Sequence, residues 1–125
     1  MRRFWIAILP FTLCPVGALA ADDIMAGTYG NTLVATGGIA ETHTHYRADH
    51  TFDITARALL MTYNFKGTWK IDEKGDVCLT FVEPLPPRTT NPACRPATGP
   101  HKAGDTWTTT RNGNTRTMTI VAGIE

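Results

Sequence analysis

The chain has 125 residues, a formal net charge of +1, 42% hydrophobic and 18% charged side chains. That balance excludes a disordered tail and a strongly basic nucleic-acid binder. The length suits one domain with a single core.

The chain opens with the cationic Met1-Arg2-Arg3, followed by the apolar run from Phe4 to Leu13 and the small-x-small pattern Ala18-Leu19-Ala20. This is the order of a secretory leader, and the apolar run is too short to span a bilayer as a stable helix. The reading is a signal peptide over residues 1–20 and one β domain over residues 21–125, periplasmic or secreted, with no membrane span after cleavage. Losing Arg2 and Arg3 leaves ten basic against eleven acidic side chains, so no charged partner is announced. Cys14 leaves with the leader. Cys78 and Cys94 remain in an oxidising compartment and are expected to form one disulfide. It closes a loop of roughly 15 residues, worth on the order of 3 kcal/mol on the chain-entropy model.

Along residues 31–121, short alternating runs rich in threonine are separated by Gly, Pro, Asn and Asp, which predicts an all-β fold. The first strand is Asn31 to Thr36, ended by Gly37-Gly38. The next hairpin spans Glu41 to Ile54. A two-residue loop there would put His45 and Phe52 on one face, whereas a three-residue loop at Ala48-Asp49-His50 pairs Tyr46 with Phe52 and Thr44 with Ile54 inside. His45 then faces Asp53, and Glu41 faces Arg57, on the outside. His50 takes the positive-φ position, which His tolerates better than most residues.

Leu59 to Tyr63 reads as an apolar central strand. From Leu59 to Ile71 the phase is continuous, so either one long strand passes through Gly67 or a turn falls near Asn64. A hairpin at Glu73-Lys74-Gly75 pairs Ile71 with Val77, Trp69 with Leu79 and Gly67 with Phe81, making Trp69 the expected core anchor. Lys70 and Cys78 share the outer face, so the disulfide is expected to pin the following segment outside the sheet. Six prolines make residues 83–103 an irregular connection, within which Glu83 to Arg88 is either a stiff loop or a polyproline-type recognition element. Asn112-Gly113 calls for a type I′ turn, pairing Trp107 with Met118 and leaving two threonine rows on the outer face. The sum is a small antiparallel meander barrel or sandwich of about eight strands, lipocalin-like.

The chain contains no serine, both remaining cysteines are assigned to the bridge, and no carboxylate pair or phosphate loop stands out, so no catalytic residue is named and the expectation is a non-enzyme. No cofactor is expected. The one chemical constellation is His43-x-His45 on one strand face with Asp53 opposite His45. It reads either as a weak metal site of three ligands or as an ordinary cross-strand pair.

Gly67-Thr68-Trp69, Cys78-Leu79-Thr80, Cys94, Gly104-Asp105-Thr106-Trp107 and Val121-Ala122-Gly123 together resemble a group of small exported single-disulfide bacterial β-barrel proteins of largely unknown function, over residues 27–124. The order Gly-x-Trp, strand cysteine, second cysteine is also similar to the periplasmic metalloprotease-inhibitor family. That resemblance implies an eight-stranded barrel with one disulfide, whose mature N-terminal segment enters the protease cleft. Here the Gly-Thr-Trp element follows residues 21–66, and no inhibitory residue carries over. The functional expectation is an exported binding or interaction domain whose partner is an unknown protein or small apolar ligand. The alternatives are an inhibitor of a secreted or host hydrolase and a weak metal-binding protein.

Overall fold

Alternation with a period of two places every second side chain on one face of a strand, and here the apolar set of each strand falls in phase with that of its neighbour. The computed structural model describes residues 21–125; the leader assigned to residues 1–20 lies outside the described residues. A 3₁₀ segment, Ala21–Thr28, precedes eight strands: β1 Thr32–Thr36, β2 Glu41–Tyr46, β3 Thr51–Ala58, β4 Met61–Ile71, β5 Asp76–Phe81, β6 Ala93–Pro96, β7 Thr106–Arg111 and β8 Asn114–Val121. All pairings are antiparallel, in one curled sheet ordered β6-β5-β4-β3-β2-β1-β8-β7. The first and last strands are joined, so the meander is interrupted only at a seam between β6 and β7. The fold is all-β and barrel-like, a single sheet rather than two stacked ones.

The hairpin registers follow from local turn chemistry. His50 has φ 67° and closes the three-residue β2–β3 loop, which pairs Tyr46 with Phe52, His45 with Asp53 and Glu41 with Arg57. Gly75, at φ 83°, does the same for β4–β5, pairing Trp69 with Leu79 and Ile71 with Val77. Asn112 and Gly113 both have positive φ, the type I′ signature, and Trp107 faces Met118.

The core cluster is Met25, Phe52, Trp69 and Phe81, with Tyr29, Tyr46, Ile71 and Leu79 packed against it. Trp69 is 2% exposed. Its indole N–H donates to the Arg47 carbonyl at 2.9 Å, and the His50 ring stacks on it at 4.1 Å. Gly67 is required by backbone approach: a Cβ there would lie 1.9 Å from the Thr80 carbonyl oxygen, so room for the Phe81 ring is a secondary matter.

Two expectations are corrected. Leu59 and Leu60 are not part of a central strand but the two-residue tip of the β3–β4 hairpin, because Ala58 pairs directly with Met61. One long β4 then runs through Gly67. Residues 93–96 do not lie on the outside of the sheet either. They form β6, in plane beside β5, and Cys78 faces Cys94 across the two strands with Cα atoms 4.0 Å apart and the disulfide formed.

Candidate functional site

The outer face of β2 and β3 holds the predicted His43, His45 and Asp53. His45 and Asp53 occupy the facing positions that the three-residue loop dictates, and the imidazole Nδ1 lies 2.8 Å from Asp53 Oδ1. Arg47 binds the other carboxylate oxygen of Asp53. Burial works against ionisation of Asp53, but the hydrogen bonds and charges of His45 and Arg47 outweigh it and hold the carboxyl below its usual range.

The other ring nitrogen of His45 is also engaged. Nε2 lies 2.9 Å from the Glu125 backbone oxygen and 3.2 Å from Thr32 Oγ1. The Thr32 hydroxyl in turn donates to the Gly123 carbonyl at 2.8 Å and accepts the Glu125 N–H at 2.9 Å. Thr32 is fully buried and His45 is 9% exposed, because residues 123–125 lie over them. A metal ligand needs a ring nitrogen with a free lone pair, and both nitrogens here already face oxygens.

His43 turns elsewhere, its Nε2 lying 2.7 Å from Glu41 Oε1. The strand therefore brings His45 to Asp53 as predicted but gives His43 a different carboxylate. Among the described residues, the trio whose donor atoms lie within 4.8 Å of one another is Asp72, Cys78 and Cys94. Its two sulfurs are joined in the disulfide, and a zinc thiolate site needs them ionised and free. The geometry gives the His45–Asp53 pair, with Thr32, a structural job, which is holding residues 123–125 against β1 and β2.

The opposite end of the sheet is chemically different. The connections 36–41, 58–61, 82–92 and 111–114 all emerge there, since alternate turns of a meander share an end. Ile39 is 98% exposed, and Leu59 and Leu60 are each 102% exposed. Met61, Tyr63 and Leu85 add further exposed apolar surface. Leu59 also has φ 55°. A two-residue turn with positive φ at its first position ordinarily takes glycine there, and a leucine in that region costs roughly 1–2 kcal/mol. Leu59 is thus both strained and fully hydrated.

A signal for this tip was present in the sequence. A two-residue loop at 59–60 pairs Ala56 with Tyr63 and Ile54 with Phe65, which matches apolar residues face to face. The apolar run from Leu59 to Tyr63 obscured it by resembling a buried strand.

Two open hollows of about 370 Å³ each lie elsewhere on the surface, one walled by Asp53, Lys66 and Glu83 among others, the second by residues 70–74 at the β4–β5 turn. No helix among the described residues is long and apolar enough to cross a membrane. No family model, curated protein or solved structure matches the chain, so the site is read from its own geometry.

Proposed function

We propose that this chain is an exported, non-enzymatic binding module that engages a protein partner through the loop end of its curled sheet. The observation that carries this reading is the full exposure of Ile39, Leu59 and Leu60 on two adjacent loops, with Leu59 kept in a left-handed conformation. Scattered exposed aliphatics are ordinary on protein surfaces, but three wholly hydrated ones on adjoining loop tips mark a contact surface. The disulfide supports an oxidising, extracytoplasmic setting.

Exposed Arg57 at the base of the tip and Arg88 on the 82–92 loop flank the apolar residues at this end. With Glu41 facing Arg57 across the hairpin and Glu83 on the loop of Arg88, the surface they fit is an apolar pocket with a rim of mixed charge, where the leucines supply buried area and the charges supply orientation. A photo-crosslinking residue placed at Leu60 should yield a discrete adduct in the cell envelope, whereas the same probe at Lys74, on the opposite end, should not. Leu59→Ser with Leu60→Ser should abolish an adduct formed from Ile39 while leaving the fold intact. Equal labelling from Leu60 and Lys74, or an Ile39 adduct that survives the double substitution, would reject the loop end as the contact.

A further inference from the structure

A second feature lies on the core face at the seam between β6 and β7, and it does not depend on the loop-end reading. On β7 and β8 the core-facing positions run Trp107 opposite Met118, Thr109 opposite Arg116 and Arg111 opposite Asn114. Arg111 and Arg116 are therefore diagonal neighbours on one face, the spacing at which long side chains meet. On β6, Arg95 lies opposite Val77, whose side chain packs on the core cluster, so Arg95 projects to the same side of the sheet. The sheet curls, and Arg95 on one edge is within electrostatic reach of Arg111, Arg116 and Tyr46.

Three guanidinium groups from three strands thus converge in a chain with twelve basic and eleven acidic side chains. The convergence is local, and not the consequence of a basic surface. Among the described residues no carboxylate forms an ion pair with any of the three; the acidic partners go instead to His43, His45, Arg47 and His101. Arg116 spends Nη2 on the carbonyls of Ala35 at 3.2 Å and Ala40 at 2.7 Å, anchoring the 36–41 loop. Among the described residues its buried Nε has no hydrogen-bond partner, and neither has the indole N–H of Trp107 on the same face of the same hairpin.

Like charges gathered without a counterion raise the free energy of the fold, and buried N–H groups without acceptors add to that cost. Burial and then the like charge of Arg111 hold Arg95 below the usual guanidinium value, while burial pushes the Tyr46 phenol up to about 12, offset in part by Arg95. Arg95 and Arg111 remain solvent-accessible, so the cluster is open to a ligand.

We infer that Arg95, Arg111 and Arg116 form a binding site for a phosphate group. Guanidinium forks bind tetrahedral oxyanions bidentately, and two of them, Arg95 and Arg111, beside the charge of Arg116 and with no intervening carboxylate match a group carrying more than one negative charge better than a single carboxylate. Such an anion supplies the missing counter-charge and offers oxygen acceptors on the face that carries the two orphaned N–H donors. Arg95 and Arg111 clasp it from the two sides of the seam, and Arg116 forms the floor.

The test is calorimetric titration of the purified protein at low ionic strength with inorganic pyrophosphate, alongside sedimentation with phosphatidylglycerol vesicles and with phosphatidylcholine vesicles. Arg95→Gln with Arg111→Gln should weaken binding at least about tenfold. Lys70→Gln with Lys74→Gln, which removes the same charge elsewhere, should leave it unchanged. Arg95→Lys with Arg111→Lys keeps the charge without the fork and should fall between the two, which separates recognition from a folding defect. Added salt should weaken binding. Pyrophosphate binding without vesicle binding assigns a free phosphate compound. Phosphatidylglycerol binding alone, lost in the Gln variant, assigns a lipid headgroup. Binding to neither probe, or binding equally reduced by the Lys70/Lys74 control, overturns the site.

Discussion

At the end of the sheet that carries the 46–51 and 71–76 turns, side chains and backbone close the turns with hydrogen bonds. Asp72 Oδ1 accepts the N–H groups of Lys74 and Asp76 at 2.9 Å each, Asp49 Oδ1 accepts the Thr51 amide at 3.0 Å, and the Trp69 amide donates to the His50 carbonyl at 2.8 Å. The 3₁₀ segment closes this end from below, with Met25 in the core and Tyr29 against Trp69. The loop end has anchors too, the Asn91 side chain on the Phe81 amide and carbonyl and Arg116 on the Ala35 and Ala40 carbonyls, but it differs in what it exposes. Its most prominent residues are hydrated aliphatics, and one of them sits in a backbone conformation that leucine avoids. Elements that serve stability are selected for satisfied contacts, whereas elements that meet a partner carry surface that is satisfied only on binding.

Substitutions at the two ends should differ in sign as well as size. The largest effect belongs to Trp69→Ala, which removes a ring buried among aromatics and leaves the Arg47 carbonyl without its donor. Chemical denaturation should register a loss of about 3–5 kcal/mol. A loss below about 1 kcal/mol would mean that the closed end is not the stable one.

An intermediate effect is expected at Asp53. Its carboxyl titrates lower in the folded protein than in the unfolded chain, so its contribution is present above the unfolded value of about 4 and disappears as the pH falls through the lower folded value. Unfolding followed into the acid range should show stability falling, and Asp53→Asn should flatten that limb. Because the His45–Asp53 pair helps hold residues 123–125, amide exchange of Glu125 should quicken in the variant. An acid limb of unchanged slope would separate Asp53 from the latch.

The smallest effect has the opposite sign. Leu59→Gly removes the left-handed strain and little else, so stability should rise by up to about 1 kcal/mol. Thermal unfolding checks this directly, and a decrease would show that Leu59 is held by contacts within the fold and is not offered to solvent.

How much of this was legible in the sequence depends on the range of the forces involved. Within hairpins the answer was nearly complete. A glycine, an asparagine or a histidine able to adopt positive φ sets the loop length, and a period of two then determines every pair, so Trp69–Leu79, His45–Asp53 and Trp107–Met118 could be registered from neighbouring residues alone. The disulfide partners followed from the cysteine count once Cys14 was assigned to a leader.

Long-range geometry was not legible. That β8 pairs with β1, that residues 93–96 extend the sheet, and that residues 123–125 cover His45 are contacts between segments far apart in the chain, and no local pattern encodes them. The same holds for Arg95. The hairpin register makes Arg111 and Arg116 neighbours, but only the curl of the sheet brings Arg95 within reach of them. Leu59 and Leu60 show the limit from the other side. Hydrophobicity says what a residue gains by burial, but only the tertiary fold decides whether anything is there to bury it.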